Sequence, residues 1–197
     1  MKTKLKDHTN ILILCIVIFV CIIFFFFYPK EKEKYDQREI VSSYIKGRIN
    51  KRIVIDKDQL YSIYNPHVRY NSGDYDFLIV TYLAKDDCAE CQLKLFQWKE
   101  FISKCSKKCK NVKLELLIII SPQKTKEVQY ELNAYQQKFP VYIDKNNSFS
   151  KRNNLEQVIY PFRTFLVGKN NHIIVVGNPV VNNRIGNLMI KRMLTLQ

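Results

Sequence analysis

Phe77-Leu-Ile-Val-Thr-Tyr-Leu83 is an unbroken apolar run rich in β-branched and aromatic residues, and Cys88-Ala89-Glu90-Cys91 follows it directly. A run with no polar alternation is what a strand buried on both faces requires, so layers must lie above and below it. From Leu93 the spacing changes to that of an amphipathic helix. The dithiol therefore falls at a strand-to-helix junction.

The remaining elements follow the same alternation. Val112–Ile120 predicts a second buried strand, closed by Ser121-Pro122, and 124–138 predicts a helix. Residues 139–143 are a short extended piece. Runs at 163–167 and 172–176 flank Gly168-Lys-Asn-Asn171, a hairpin with a turn signal, and 182–194 predicts a last helix. Upstream, IVI and LYSIY within 51–64 surround Asp56-Lys57-Asp58 and read as a small hairpin. The order β-α-β-α-β-β-α predicts an α/β fold: a central mixed sheet flanked by helices.

Asp87 is the expected N-cap of the first helix, Glu90 its capping-box partner, and Cys88 the first helical residue. A helix N-terminus offers free N–H groups and a positive dipole end, which favour a thiolate and lower a Cys pKa from about 8.5. Asp86, Asp87 and Glu90 oppose this, because nearby carboxylates disfavour a second anion. The balance suits a reductant or isomerase better than a strong oxidant, whose thiolate is heavily stabilised. Cys91, Leu95, Trp98, Ile102, Cys105 and Cys109 recur at steps of four and three and predict one helical face. That stripe turns Cys91 inward as the resolving thiol and leaves Cys88 at the open end as the attacking one. A purely stabilising Cys88–Cys91 bridge, or two buried thiols, is the plainer alternative, although so small a loop gains little entropy from closure.

Cys105 and Cys109 raise the question of zinc, since two cysteine pairs supply four thiolates. One continuous helix from Cys88 to Cys105 would separate the pairs by roughly 25 Å, too far to share a metal. A local bridge, two buried thiols and a second redox pair remain open for them. His67 and His172 have no acidic or Cys neighbours at ligand spacing and read as structural, and Trp98 reads as core. The pattern asks for no metal and no cofactor.

Ile11–Tyr28 is an uninterrupted apolar run. At about 1.5 Å per residue it spans close to the ~30 Å hydrocarbon core. It ends in four Phe and a Tyr rather than in small residues, which favours an uncleaved anchor over a signal peptide. Basic residues flank both sides, nearly balancing the positive-inside rule; the short N-terminal tail places the C-terminal domain outside. The expected organisation is a cytoplasmic tail over 1–10, a transmembrane anchor over 11–28, a charged stalk over 29–49, and one domain over 50–197. Of 197 residues, 47% are hydrophobic and 13% aromatic, enough for a packed core. The formal net charge of +14 comes from scattered lysines. With no zinc finger, RNP-like motif or recognition helix, no nucleic-acid partner is expected.

From about residue 50 onward the chain resembles a thioredoxin-like domain of the membrane-anchored TlpA type of thiol–disulfide oxidoreductase. The resemblance rests on the CxxC after a buried strand, on FPVYID at 139–144, and on the segment from Tyr160-Pro161 through Ile174. It implies a cis Tyr160–Pro161 bond facing the dithiol, with the Tyr160 backbone lining a substrate groove. It further implies protein thiol or disulfide substrates, an integral-membrane thiol donor, and an extracytoplasmic (periplasmic) site of action. Departures are Asp86-Asp87 where family members carry an aromatic approach, Ala89-Glu90 between the cysteines, and no acidic residue in the preceding strand. A non-catalytic binding or assembly module built on the same groove is the alternative.

Overall fold

The computed structural model describes residues 15–23, 38–135, 138–160 and 162–196. The chain divides into two units, residues 1–47 and 48–197. In the first, residues 15–23 are helical and exposed along their length, and helix is again present from residue 38. The apolar run 11–28 extends past the described residues at both ends. Among the described residues no helix is long and apolar enough to cross a membrane.

The second unit runs β1 (Leu60–Ser62), β2 (Phe77–Leu83), α1 (Ala89–Leu93), α2 (Leu95–Lys108), β3 (Leu114–Ile120), α3 (Thr125–Tyr135), β4 (Val141–Asp144), α4 (Ser148–Arg152), β5 (Thr164–Gly168), β6 (Ile173–Val176) and α5 (Asn183–Thr195). The six strands form one sheet in the order β1-β4-β3-β2-β5-β6. β3 is parallel to β2 and to β4, whereas β5 is antiparallel to β2 and to β6, so the sheet is mixed.

β2 takes a central place because every one of its seven residues can be buried, and is. Side chains alternate across the pleat. Phe77, Ile79 and Leu83 join Leu95, Trp98, Phe101 and Cys105 of α2 and Met189, Ile190 and Met193 of α5 in the main core. Leu78, Val80 and Tyr82 are buried on the other face, where the Tyr82 ring lies 5.8 Å from Phe149 of α4. Helices thus cover both faces, as the continuous apolar run demands.

Two local expectations are corrected. Residues 51–64 do not make a hairpin. Ile53 donates its N–H to Asn171 O beside β6 (2.8 Å), whereas β1 pairs with β4 at the opposite edge. Asp56-Lys57-Asp58 is the reason: Asp56 caps a 3₁₀ turn over Lys57–Gln59, which carries the chain onward instead of folding it back. The helix after the dithiol is likewise broken. Lys94 stands at φ 43°, ψ 50° in the left-handed region, ending α1 after five residues and resetting the phase of α2.

Candidate functional site

Cys88, at the end of the turn after β2, and Cys91, in the first turn of α1, are joined as a disulfide with their Cα atoms 5.3 Å apart. Both residues are exposed. The buried stripe of α2 is Leu95, Trp98, Phe101 and Cys105, continued by Cys109 at its end. Cys91 is not part of it, because the break at Lys94 turns α1 out of phase. Burial therefore does not distinguish the two sulfurs; hydrogen bonding does. Cys88 is itself the N-cap of α1, at φ −81° and ψ 113°, and its Sγ accepts the Cys91 N–H at 3.2 Å. That N–H is the donor a Cys88 thiolate would keep.

The expected cap on Asp87 is thus displaced by one residue. The carboxylate of Asp87 is drawn inward, where Oδ2 accepts from Arg163 Nη1 at 2.5 Å and from the Ala84 N–H at 2.7 Å. Both partners of the ion pair leave only 9% of their side chains exposed. A guanidinium in a nearly dry site competes better for a carboxylate than a peptide N–H does. Glu90 is exposed and forms no capping box. The donor left free at the start of α1 goes elsewhere: the Ala89 N–H donates to Glu127 Oε1 of α3 at 2.7 Å. Lys124 Nζ donates to the other oxygen of Glu127, also at 2.7 Å.

Tyr160 lies against this turn. Its hydroxyl donates to Gln92 O and accepts from Asn178 Nδ2, both at 2.6 Å. Burial, with the Asp87 charge adding to it, pushes the phenol well above its ordinary range, so it stays a donor. The Gln92 amide, turned to donate, lies 3.3 Å from both Asp87 oxygens. Arg163 also donates through Nε to Val158 O. Arg163 and Tyr160 are therefore each tied to the Asp87–Gln92 stretch, Arg163 through Asp87 and Tyr160 through Gln92 O. Pro161 lies outside the described residues.

Cys105 and Cys109 are free thiols, 1% and 3% exposed, at the far end of α2. Burial pushes the Cys105 thiol up to about 12 and raises Cys109 as well. Both stay protonated, buried in the core. His67 and His172 are exposed, and the His172 ring meets the Asn50 carbonyl at 2.9 Å. Among the described residues no group of three or more His, Cys, Asp or Glu is placed to hold a metal.

With this geometry in hand, known structures locate the architecture. An uncharacterized thioredoxin-like protein from Porphyromonas gingivalis superposes with a TM-score of 0.52 at 18% identity, over 75% of this chain and 94% of that one. The fold is thioredoxin-like. A candidate protein disulfide isomerase from Bacteroides thetaiotaomicron matches with a TM-score of 0.56 at 14% identity, over 75% of this chain and 88% of that one. A candidate thiol:disulfide interchange protein, DsbE, from Chlorobium tepidum matches at 0.53 and 14%, over 74% and 99%. No family model matches the chain, and neither does any curated protein.

Sequence reasoning missed Arg163, Gln92, Asn178 and Glu127. Arg163 alone left a trace, as a lone charge at the entrance to the apolar run of β5. Removing one partner of a nearly buried pair leaves the other charge uncompensated. Arg163→Met is therefore expected to lower stability by about 3 kcal/mol. Asp87→Asn combined with it should cost less than the sum of the two single changes. Urea unfolding of the four proteins measures this, and strictly additive losses would contradict the pair's role.

Proposed function

We propose that this protein is a membrane-tethered, extracytoplasmic thiol–disulfide oxidoreductase that reduces protein disulfides through Cys88 and Cys91. The observation that carries the proposal is the exposed Cys88–Cys91 disulfide, with Cys88 Sγ on the Cys91 N–H, at the end of the central strand of a thioredoxin-like fold. The names of the similar structures point the same way.

In the reduced protein the Cys88 thiolate attacks one sulfur of a substrate disulfide. The substrate S–S bond breaks, its second sulfur leaves as a thiolate that takes up a proton, and a mixed disulfide to Cys88 forms. Cys91 then loses its proton and attacks Cys88 Sγ, which releases the other substrate thiol and closes Cys88–Cys91. The substrate gains two electrons and two protons, and the protein is oxidised by the same amount. A membrane-embedded dithiol donor restores the cycle. Cys88 is the attacking thiol because its sulfur holds the N-cap position, where the Cys91 N–H supports the anion. The Tyr160–Pro161 segment forms the substrate groove, and the exposed Ile159 beside it offers an apolar surface to an unfolded chain.

Residues 11–28 serve as the anchor, 1–10 as the cytoplasmic tail and 29–49 as the stalk. The described part of the run, 15–23, is helical and wholly exposed, which suits a lipid-facing surface.

Cys91→Ser should accumulate a mixed disulfide with reduced-and-reoxidised substrate protein through Cys88, and Cys88→Ser should not. Non-reducing gels with peptide mapping read this; adducts from neither variant would leave only a binding module. In intact cells a membrane-impermeant maleimide should label Cys88 after reduction, and the protein should stay with membranes washed in carbonate. Labelling only after lysis would place the domain on the other side.

A further inference from the structure

Glu127 has no place in the exchange chemistry above, yet its carboxylate reaches from α3 onto the first turn of α1. Oε1 accepts the N–H of Ala89, the residue directly after Cys88, at 2.7 Å, and Oε2 accepts from Lys124 Nζ at 2.7 Å. Ala89 itself is fully buried, so this N–H has no access to water. Two backbone donors next to Cys88 are then accounted for. One, from Cys91, goes to Cys88 Sγ; the other goes to a carboxylate. Both contacts to Glu127 favour its ionised form and hold its carboxyl below the usual range.

We propose that Glu127 is a positioning residue that keeps the Cys88–Cys91 couple reducing: it holds the Ala89 N–H away from Cys88 Sγ and sets a negative charge beside that sulfur, while Lys124 limits how far the effect goes. This rests on Cys88 being the attacking thiol. A like charge nearby disfavours the thiolate. A destabilised thiolate in turn destabilises the reduced protein and makes it the better electron donor. The other charges around Cys88 are fewer than its acidic neighbourhood suggests. Asp87 is neutralised by Arg163. Lys85 and Asp86 on the turn and Glu90 in α1 are exposed, as is 42% of the Glu127 side chain, so screening weakens all of them; what sets Glu127 apart is its bond to the buried Ala89 N–H. Tyr160 remains a neutral donor. From α3, Glu127 bonds α1 at the Ala89 N–H, and Lys124, from the turn before α3, pairs with Glu127.

The two side chains act with opposite sign, and that separates a tuning role from a merely structural one. Glu127→Gln keeps an oxygen for the Ala89 N–H and removes the charge. Lys124→Met keeps the carboxylate and removes its counter-charge. The full-length protein in detergent, reduced with dithiothreitol, is alkylated with iodoacetamide across pH 5–10, and the rate at Cys88 is followed by peptide mass spectrometry. Glu127→Gln should shift the Cys88 profile to lower pH by roughly one unit, and Lys124→Met should shift it to higher pH. In glutathione buffers Glu127→Gln should move the couple about tenfold toward the reduced protein, or about 30 mV. Shifts of the same sign, or none, would overturn the proposal. The alkylation profile reads Glu127 whether or not substrate is turned over, so its outcome is independent of the mixed-disulfide experiment.

Discussion

A strand buried on both faces can end in only a few ways, and the end of β2 governs the rest of this molecule. All seven residues of Phe77–Leu83 are buried, and the strand is hydrogen-bonded to β3 on one side and β5 on the other. Its backbone groups are satisfied by neighbours that are themselves in the core, and its last residue is held as well, Leu83 O accepting the Ser121 N–H at 2.8 Å. The dithiol turn starts from that fixed point. Everything chemical about Cys88 and Cys91 depends on their being delivered there and then turned outward.

What turns them outward is polar. Asp87, immediately before Cys88, faces in to Arg163, and because the backbone at Cys88 is extended the next side chain points out. Arg163 stands on the strand entrance that follows the Tyr160–Pro161 segment. The ion pair therefore links the start of β5 to the turn that carries Cys88. Tyr160 adds a second tie through Gln92 O and Asn178. These contacts spend hydrogen-bonding groups on position, which is the kind of support that preorganises a reactive pair.

Hydrophobic period carried most of the fold into view. The strand runs that became β2, β3, β5 and β6 are continuous and apolar enough to identify, α5 shows helical spacing, and their order predicts the mixed sheet. It could not identify the left-handed residue at Lys94, since nothing in CQLKLF distinguishes a helix that breaks from one that continues. Periodicity alone puts Cys91 on the stripe of α2, whereas the break puts it on the surface. The same blindness applied to 51–64, where two β-rich pieces looked like partners and lie at opposite edges. In the site, the dithiol was plain from spacing alone. Asp87 was visible but given the wrong partner, because the competing guanidinium lies 76 residues away. Glu127, on a helix face with no local signal, could be found only through its contact with Ala89.

The central claim is that Cys88–Cys91 is a working couple rather than a brace. Its reduction potential against glutathione, with Cys105→Ser/Cys109→Ser as control, tests this most directly. A reversible couple between about −120 and −270 mV, toward the reducing end, is the predicted result. A bridge more stable than about −300 mV, or no bridge at all, would contradict the account.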